Sequence, residues 1–201
     1  HIKRLTTIPV VLFPGNAFQL TNKADALLLL SLISGRNAEW LIGQHVQAAK
    51  AIQQSALETI STGYLLIDGG NTTAVERVSK TKPLQRDAID EVVSTALAGQ
   101  LLGHKLIYLE AGSGAQNPVP TALIKAVKKA IDIPLIVGGG LTSTDAIKQA
   151  YNTFKEKYNN VVSPDTKTEE KTPEGFNIIK KRKTLDPNFL KDSVVRDENG
   201  E

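Results

Sequence analysis

Five short aliphatic runs punctuate the chain, and each ends in turn-forming residues. Residues 9–13 lead into Pro14-Gly15-Asn16. Residues 24–32 lead into Ser34-Gly35-Arg36-Asn37. Residues 63–67 lead into Asp68-Gly69-Gly70-Asn71, residues 105–109 into Glu110-Ala111-Gly112-Ser113-Gly114, and residues 134–137 into Gly138-Gly139-Gly140. The runs are continuous rather than alternating, which predicts strands covered on both faces. The stretches between them carry a helical period. In 37–57 the apolar residues fall at 38, 41, 42, 46, 49 and 52, close to a 3.6 repeat. Residues 87–102, 120–131 and 142–151 read the same way. Pro118 and Pro120 suit a helix start, and Ser143 offers an N-cap to the last helix.

Strand, loop and helix at this spacing predict right-handed βαβ crossovers and a parallel sheet. An open doubly wound sheet and a (β/α)₈ barrel of TIM type both satisfy the pattern. The barrel is favoured because glycine-, asparagine- and serine-rich loops follow nearly every strand. A barrel builds one site from all of those loops, whereas an open sheet concentrates its site at one switch point. The fold class expected is therefore α/β, a TIM-type barrel incomplete at about five βα units.

Composition adjusts this picture at the carboxyl end. Of the last 39 residues 17 are charged, against 28 of the first 162. So charged a segment buries too little apolar surface to offset the entropy of ordering. A partial barrel domain is expected over 1–162 and a disordered tail over 163–201, with a short amphipathic helix near 188–194. The basic run Lys180-Lys181-Arg182-Lys183 has acidic flanks and reads as solvated. The whole chain of 201 residues is 41% hydrophobic but only 5% aromatic, so an aliphatic core is expected. It holds no cysteine, which excludes disulfides, thiolate metal sites and a cysteine nucleophile. A net charge of +3 is too small to argue for nucleic acid. No run of about 18 apolar residues is present to span a membrane. Methionine is absent throughout, so an incomplete reading frame is expected.

Two glycine-rich loops at neighbouring strand ends are the main chemical signal. Small residues in 111–114 and in 138–140 let backbone N–H groups approach an anion, and Ser113 adds a hydroxyl donor. Adjacent loops of this kind match the phosphate site common at the carboxyl end of late barrel strands. Tight βα turns alone would also use such glycines. Glu110 ends its strand and is placed to act as a general base or to hold a ligand hydroxyl. Capping of the next helix is its alternative role. Tyr108, two residues earlier, shares its side-chain direction and either grips a polyol or packs in the core. Asp68 is either a site residue or the start of an Asp-Gly turn. His45 is expected to be a satisfied helix residue facing Leu41, Ile42 and Ala49. His104 lies at the opposite end from the site and is given no role. No His/Asp/Glu cluster has metal-ligand spacing, and no Walker loop or dinucleotide fingerprint occurs.

Six motifs then stand in order: Phe13-Pro14-Gly15-Asn16; Ser31-Leu32-Ile33-Ser34-Gly35-Arg36-Asn37; Ile42-Gly43-Gln44-His45-Val46; Thr62 to Gly70; Tyr108-Leu109-Glu110-Ala111-Gly112-Ser113-Gly114; and Ile136-Val137-Gly138-Gly139-Gly140. Together they resemble the geranylgeranylglyceryl phosphate synthase family, including its bacterial members, over roughly residues 5–152. The resemblance implies a modified TIM barrel that transfers a polyprenyl group from its diphosphate to the 3-hydroxyl of sn-glycerol 1-phosphate. It implies that Tyr108, Leu109, Glu110, Ala111, Gly112, Ser113 and Gly114 hold glycerol phosphate, with Gly139 and Gly140 on its phosphate and Glu110 orienting or deprotonating the hydroxyl. It further implies a cytoplasmic enzyme that uses Mg²⁺ and assembles as a dimer or hexamer. The family's Mg²⁺ aspartate ends a first strand that has no counterpart here, so no metal ligand is expected in this chain. After Asn152 the sequence departs from the family pattern. A non-catalytic fragment with a residual phosphate surface, or another phosphate-binding barrel enzyme, are the competing readings.

Overall fold

A computed structural model describes residues 2–5, 7–16 and 18–159. The expected tail, its helix and the basic run at 180–183 lie outside the described residues. Within them, five strands form one sheet: β1 (Val11–Leu12), β2 (Ala26–Leu32), β3 (Glu58–Leu66), β4 (Leu106–Glu110) and β5 (Leu135–Gly138). A π-helical turn (Glu39–Gly43) runs directly into α1 (Gln44–Gln54). A 3₁₀ turn spans Ile2–Arg4, and the other helices are α2 (Ala74–Ser79), α3 (Ile89–Leu101), α4 (Thr121–Ala130) and α5 (Thr144–Asn159).

Every pairing is parallel, and the strands lie side by side in chain order, β1-β2-β3-β4-β5. That order decides between the two architectures. A doubly wound sheet reverses direction at a switch point; this sheet never does, so each crossover advances one strand in the same sense, as in a barrel. The crossover helices therefore share one face, and every strand's carboxyl end shares one rim.

Strand alternation separates two cores. Leu65, Ile107, Leu109 and Val137 point outward and pack on Val92 and Ala96 of α3 and on Leu123, Ile124 and Val127 of α4. Leu28, Leu32, Tyr64, Leu66, Tyr108 and Ile136 point to the inner face. Burying both faces explains why the runs are continuously apolar. The outer core is aliphatic, as expected. The inner face differs: Phe13, Tyr64 and Tyr108 form an aromatic cluster, with the two tyrosine rings stacked at 5.6 Å and Phe13 tilted 5.4 Å from Tyr108. Three of the chain's few aromatics are thus concentrated at one place.

Three other details depart from the sequence reading. β3 begins at Glu58 rather than Gly63, because its polar first half pairs with Ala26–Leu30 of β2 and its side chains find partners: Thr62 Oγ1 donates to Ile60 O at 2.9 Å, and Ser61 Oγ pairs with His104 Nδ1 at 2.9 Å. The short helix α2 was not expected. Its N-cap is Thr73, whose Oγ1 accepts the Glu76 N–H at 3.1 Å. In α1 the buried positions are Ala48 and the half-buried His45 and Ile52, while Ile42 and Val46 are exposed. The preceding turn bonds Gln44 N–H to Glu39 O, five residues back. A π-turn advances less per residue than an α-turn and so rotates the face that follows. That sets the half-buried His45 apart from the exposed Ile42, while Ala49, four residues on in α1, stays its helical neighbour.

Candidate active site

β4 ends on Glu110, and alternation sends Tyr108 and Glu110 to the same inner face, as the sequence indicated. Glu110 is buried, and its Oε1 accepts the Gly112 backbone N–H at 2.7 Å. The turn after β4 thus folds back over the carboxylate and orients it. It does not cap the next helix: α4 starts eleven residues later, behind Pro120.

β5 lies beside β4 with Glu110 opposite Gly138. A side chain at Gly138 would overlap Tyr108 Oη and would put its Cβ 2.8 Å from Glu110 Oε2. At Gly139 the Cβ would stand 2.5 Å from Glu110 Oε1 and 2.6 Å from Gly112 N. Gly139 also has φ +80° and Gly140 φ +69°, a region side-chain-bearing residues rarely adopt. These two positions need glycine both for conformation and for space. Gly140 completes the contact by resting against Asn117 and Pro118 of the β4–α4 loop. The two glycine-rich loops are therefore one surface, with the Tyr108 and Glu110 head groups set into its floor.

Ser113 and Gly114 are exposed at the rim of this surface, while Leu109 and Ala111 are buried behind it. Ser143 Oγ accepts the Ala146 N–H at 3.1 Å and caps α5 at the end of the next loop. Asp68 takes the turn role: its Oδ1 accepts the Gly70 N–H at 2.9 Å. Arg86, which sequence reasoning passed over, ties neighbouring loops together. Its Nη1 donates to Asp68 O at 3.1 Å, and Asn117 N–H bonds Gly69 O at 3.0 Å. No local motif marks Arg86, because its partners are backbone carbonyls remote in sequence. His104 stays at the far end of the sheet. Burial first, and the charge of His45 second, hold its imidazole below the usual 6.5. Among the described residues no three His, Cys, Asp or Glu side chains gather where a metal ion would sit. Among them, too, no helix is long and apolar enough to cross a membrane.

A second feature opens on the β1 side. A groove of about 120 Å³ runs between the segment after β1, including Phe13 and Leu20, and β2 with Trp40 and His45. Its lining is almost entirely apolar. It lies beside the aromatic cluster, since Phe13 and Tyr64 line it too.

A singly wound parallel sheet with a joined surface of glycine-rich loops and a buried carboxylate at its carboxyl rim defines a protein of the (β/α)-barrel class. Comparison with known proteins narrows this. The chain belongs to the PcrB family, whose model matches residues 1–179. It is 57% identical over 150 residues to a geranylgeranylglyceryl phosphate synthase of Zunongwangia profunda, covering 75% of this chain and 64% of that protein. It is 55% identical over 152 residues to the like-named protein of Flavobacterium johnsoniae, covering 76% and 63%. Among solved structures it resembles (S)-3-O-geranylgeranylglyceryl phosphate synthase from Thermoplasma acidophilum, in complex with its substrate sn-glycerol-1-phosphate. There the TM-score is 0.71 and the identity 38%, over 76% of this chain and 61% of that one. The chain spans about three fifths of the length of the curated relatives it matches.

Proposed function

We propose that this chain forms the acceptor half of a prenyltransferase that joins a polyprenyl group of geranylgeranyl type to the 3-hydroxyl of sn-glycerol 1-phosphate through an ether bond. One observation carries the proposal: Glu110 is buried, oriented by Gly112 and roofed by the paired glycine loops. In this reading the backbone around 112–114 and 139–140 receives the phosphate, and Ser113 adds a donor. The glycerol hydroxyls fall towards Tyr108 and Glu110. Glu110 then accepts the proton of the attacking hydroxyl as the oxygen bonds to C1 of the prenyl group and diphosphate departs. Holding the two reactants in line supplies much of the rate, and general-base assistance typically contributes about 10²–10⁴-fold.

The apolar groove beside Phe13 and Trp40 receives the prenyl tail. Its mouth lies on the same side of the sheet as the Tyr64–Tyr108 stack, so a tail there leads to the acceptor hydroxyl. Mg²⁺ would neutralise the departing diphosphate. Among the described residues no group of three carboxylate or histidine side chains gathers to hold it. Both substrates are phosphorylated and do not cross a bilayer unaided, so the cytoplasm is the setting this reading implies. Assembly as a dimer or hexamer belongs to the same proposal.

The test uses this chain and a chimaera completed with those segments of the Zunongwangia relative that lie outside the matched stretch. Each is incubated with labelled sn-glycerol 1-phosphate, geranylgeranyl diphosphate and Mg²⁺. The proposal predicts a lipid-extractable ether product from the chimaera. No product from it, with the relative active in parallel, overturns the proposal.

A further inference from the structure

β1 pairs with β2 at only two positions, Val11↔Ala26 and Leu12↔Leu27. From Phe13 onward the chain leaves the sheet, while β2 continues to Leu32, paired on its other side with β3 along its whole length. Among the described residues the outer edge of β2 therefore has no strand partner from Leu28 on, and this bare edge forms a wall of the apolar groove. A strand edge carries backbone acceptors, and an acceptor without a partner in an apolar setting costs roughly the desolvation of a lost hydrogen bond.

His45 supplies the partner for one of them. Its Nε2 lies 2.7 Å from Leu30 O. The carbonyl can only accept, so Nε2 carries the proton and the ring donates. The π-turn before α1 is what aims the ring: it holds Trp40 in the groove and sets His45 on the face towards β2. We infer that His45 is a positioning residue for the prenyl chain. By satisfying Leu30 O from the helix side it keeps the groove wall dry and fixes the spacing between α1 and β2. Without that donor a water molecule must enter to meet the carbonyl, and the tail then competes with it. The inference rests on the prenyl reading of the groove and adds a residue role to it. The glycerol phosphate surface, two and three strands away on β4 and β5, stays untouched.

Trp40 is the only tryptophan in the chain and lines the groove, so its emission reports occupancy directly. The chain is titrated with geranylgeranyl diphosphate without added metal, beside His45→Phe, which keeps a ring but loses the donor, and His45→Gln, which keeps a donor. The wild type is expected to give a saturable blue shift. His45→Phe is expected to bind at least tenfold more weakly and His45→Gln within about threefold, with calorimetric affinity for sn-glycerol 1-phosphate unchanged in both. Equal binding by wild type and His45→Phe overturns the role of His45 and leaves the prenyl reading standing. A loss in His45→Gln as large as that in His45→Phe also overturns it. No Trp40 response in the wild type sinks the prenyl reading of the groove, and this role with it. Should His45→Phe not fold, the exchange of the His45 Nε2–H proton in wild type decides. Its exchange slows when ligand fills the groove, and an unchanged rate overturns the inference.

Discussion

The Glu110 carboxylate accepts the backbone N–H of Gly112, two residues ahead, at 2.7 Å, and this short loop of chain fixes the one buried acid on the inner face of the described sheet. The bond orients one oxygen and leaves the other beside Gly138. Glutamine in place of Glu110 can accept the same N–H but cannot take up a proton. In the completed chimaera, Glu110→Gln should lower kcat by roughly 10²–10⁴-fold, the usual worth of a general base. The KM for sn-glycerol 1-phosphate should change much less. Steady-state kinetics with both substrates varied checks this. A fall in affinity with kcat intact would reassign Glu110 to binding.

Gly139 and Gly140 make a different prediction. Alanine at either site meets a positive φ, at a cost of order 1–3 kcal/mol, and at Gly139 it also presses on Glu110 Oε1 and Gly112 N. Gly139→Ala should therefore move both glycine-rich loops at once. Calorimetry should show the affinity for sn-glycerol 1-phosphate reduced at least tenfold, with the far-ultraviolet spectrum retained. Unchanged binding would place the phosphate elsewhere.

Tyr108 ties the inner aromatic cluster to the proposed site in one ring. It stacks on Tyr64 at 5.6 Å and meets Phe13 at 5.4 Å. Tyr108→Ala removes a fully packed aromatic, and such changes cost about 3–5 kcal/mol. Tyr108→Phe keeps the stack and removes only Oη, the atom nearest Gly138. Denaturant melts should separate the two: a large loss for alanine and a small one for phenylalanine. Phenylalanine should still weaken sn-glycerol 1-phosphate binding if Oη touches the ligand.

The chain's stability should depend on pH through His104. The native imidazole sits below its ordinary value because it is buried, with the nearby His45 charge as the lesser cause. The unfolded chain therefore takes up the proton first. Stability is complete above about pH 6.5 and falls as pH drops from there towards the native value. Thermal melts between pH 7.5 and 5 should show this decline, and His104→Asn should flatten it. An identical decline in the variant would assign it to other groups.

Much of this was legible in the sequence. Continuous aliphatic runs with glycine at their carboxyl ends marked all five strands, because strands buried on both faces need apolar residues at every position. Tyr108 and Glu110 could be assigned to one face from strand alternation alone. The parts missed were those set by distant partners. The first half of β3 is polar, and it is a strand because it pairs with Ala26–Leu30 of β2, with Ser61 bonded to His104 forty-three residues on. The α2 start did carry a local signal, Thr73 followed three residues later by Glu76, the spacing of a capping box. His45 read as an ordinary helix residue because its acceptor is a carbonyl on another element. The groove was invisible for the same reason: it exists because β1 stops after two residues, which no property of residues 9–13 announces.

The central claim is that the loops after β4 and β5 together hold glycerol phosphate. Titrating the ¹⁵N-labelled chain with sn-glycerol 1-phosphate and following its backbone amides tests this most directly. The largest, saturable shifts should fall on Gly112, Ser113 and Gly114 and on Gly139 and Gly140, and Gly139→Ala should abolish them. Shifts confined to other parts of the chain, or none at these five amides at millimolar ligand, would contradict it.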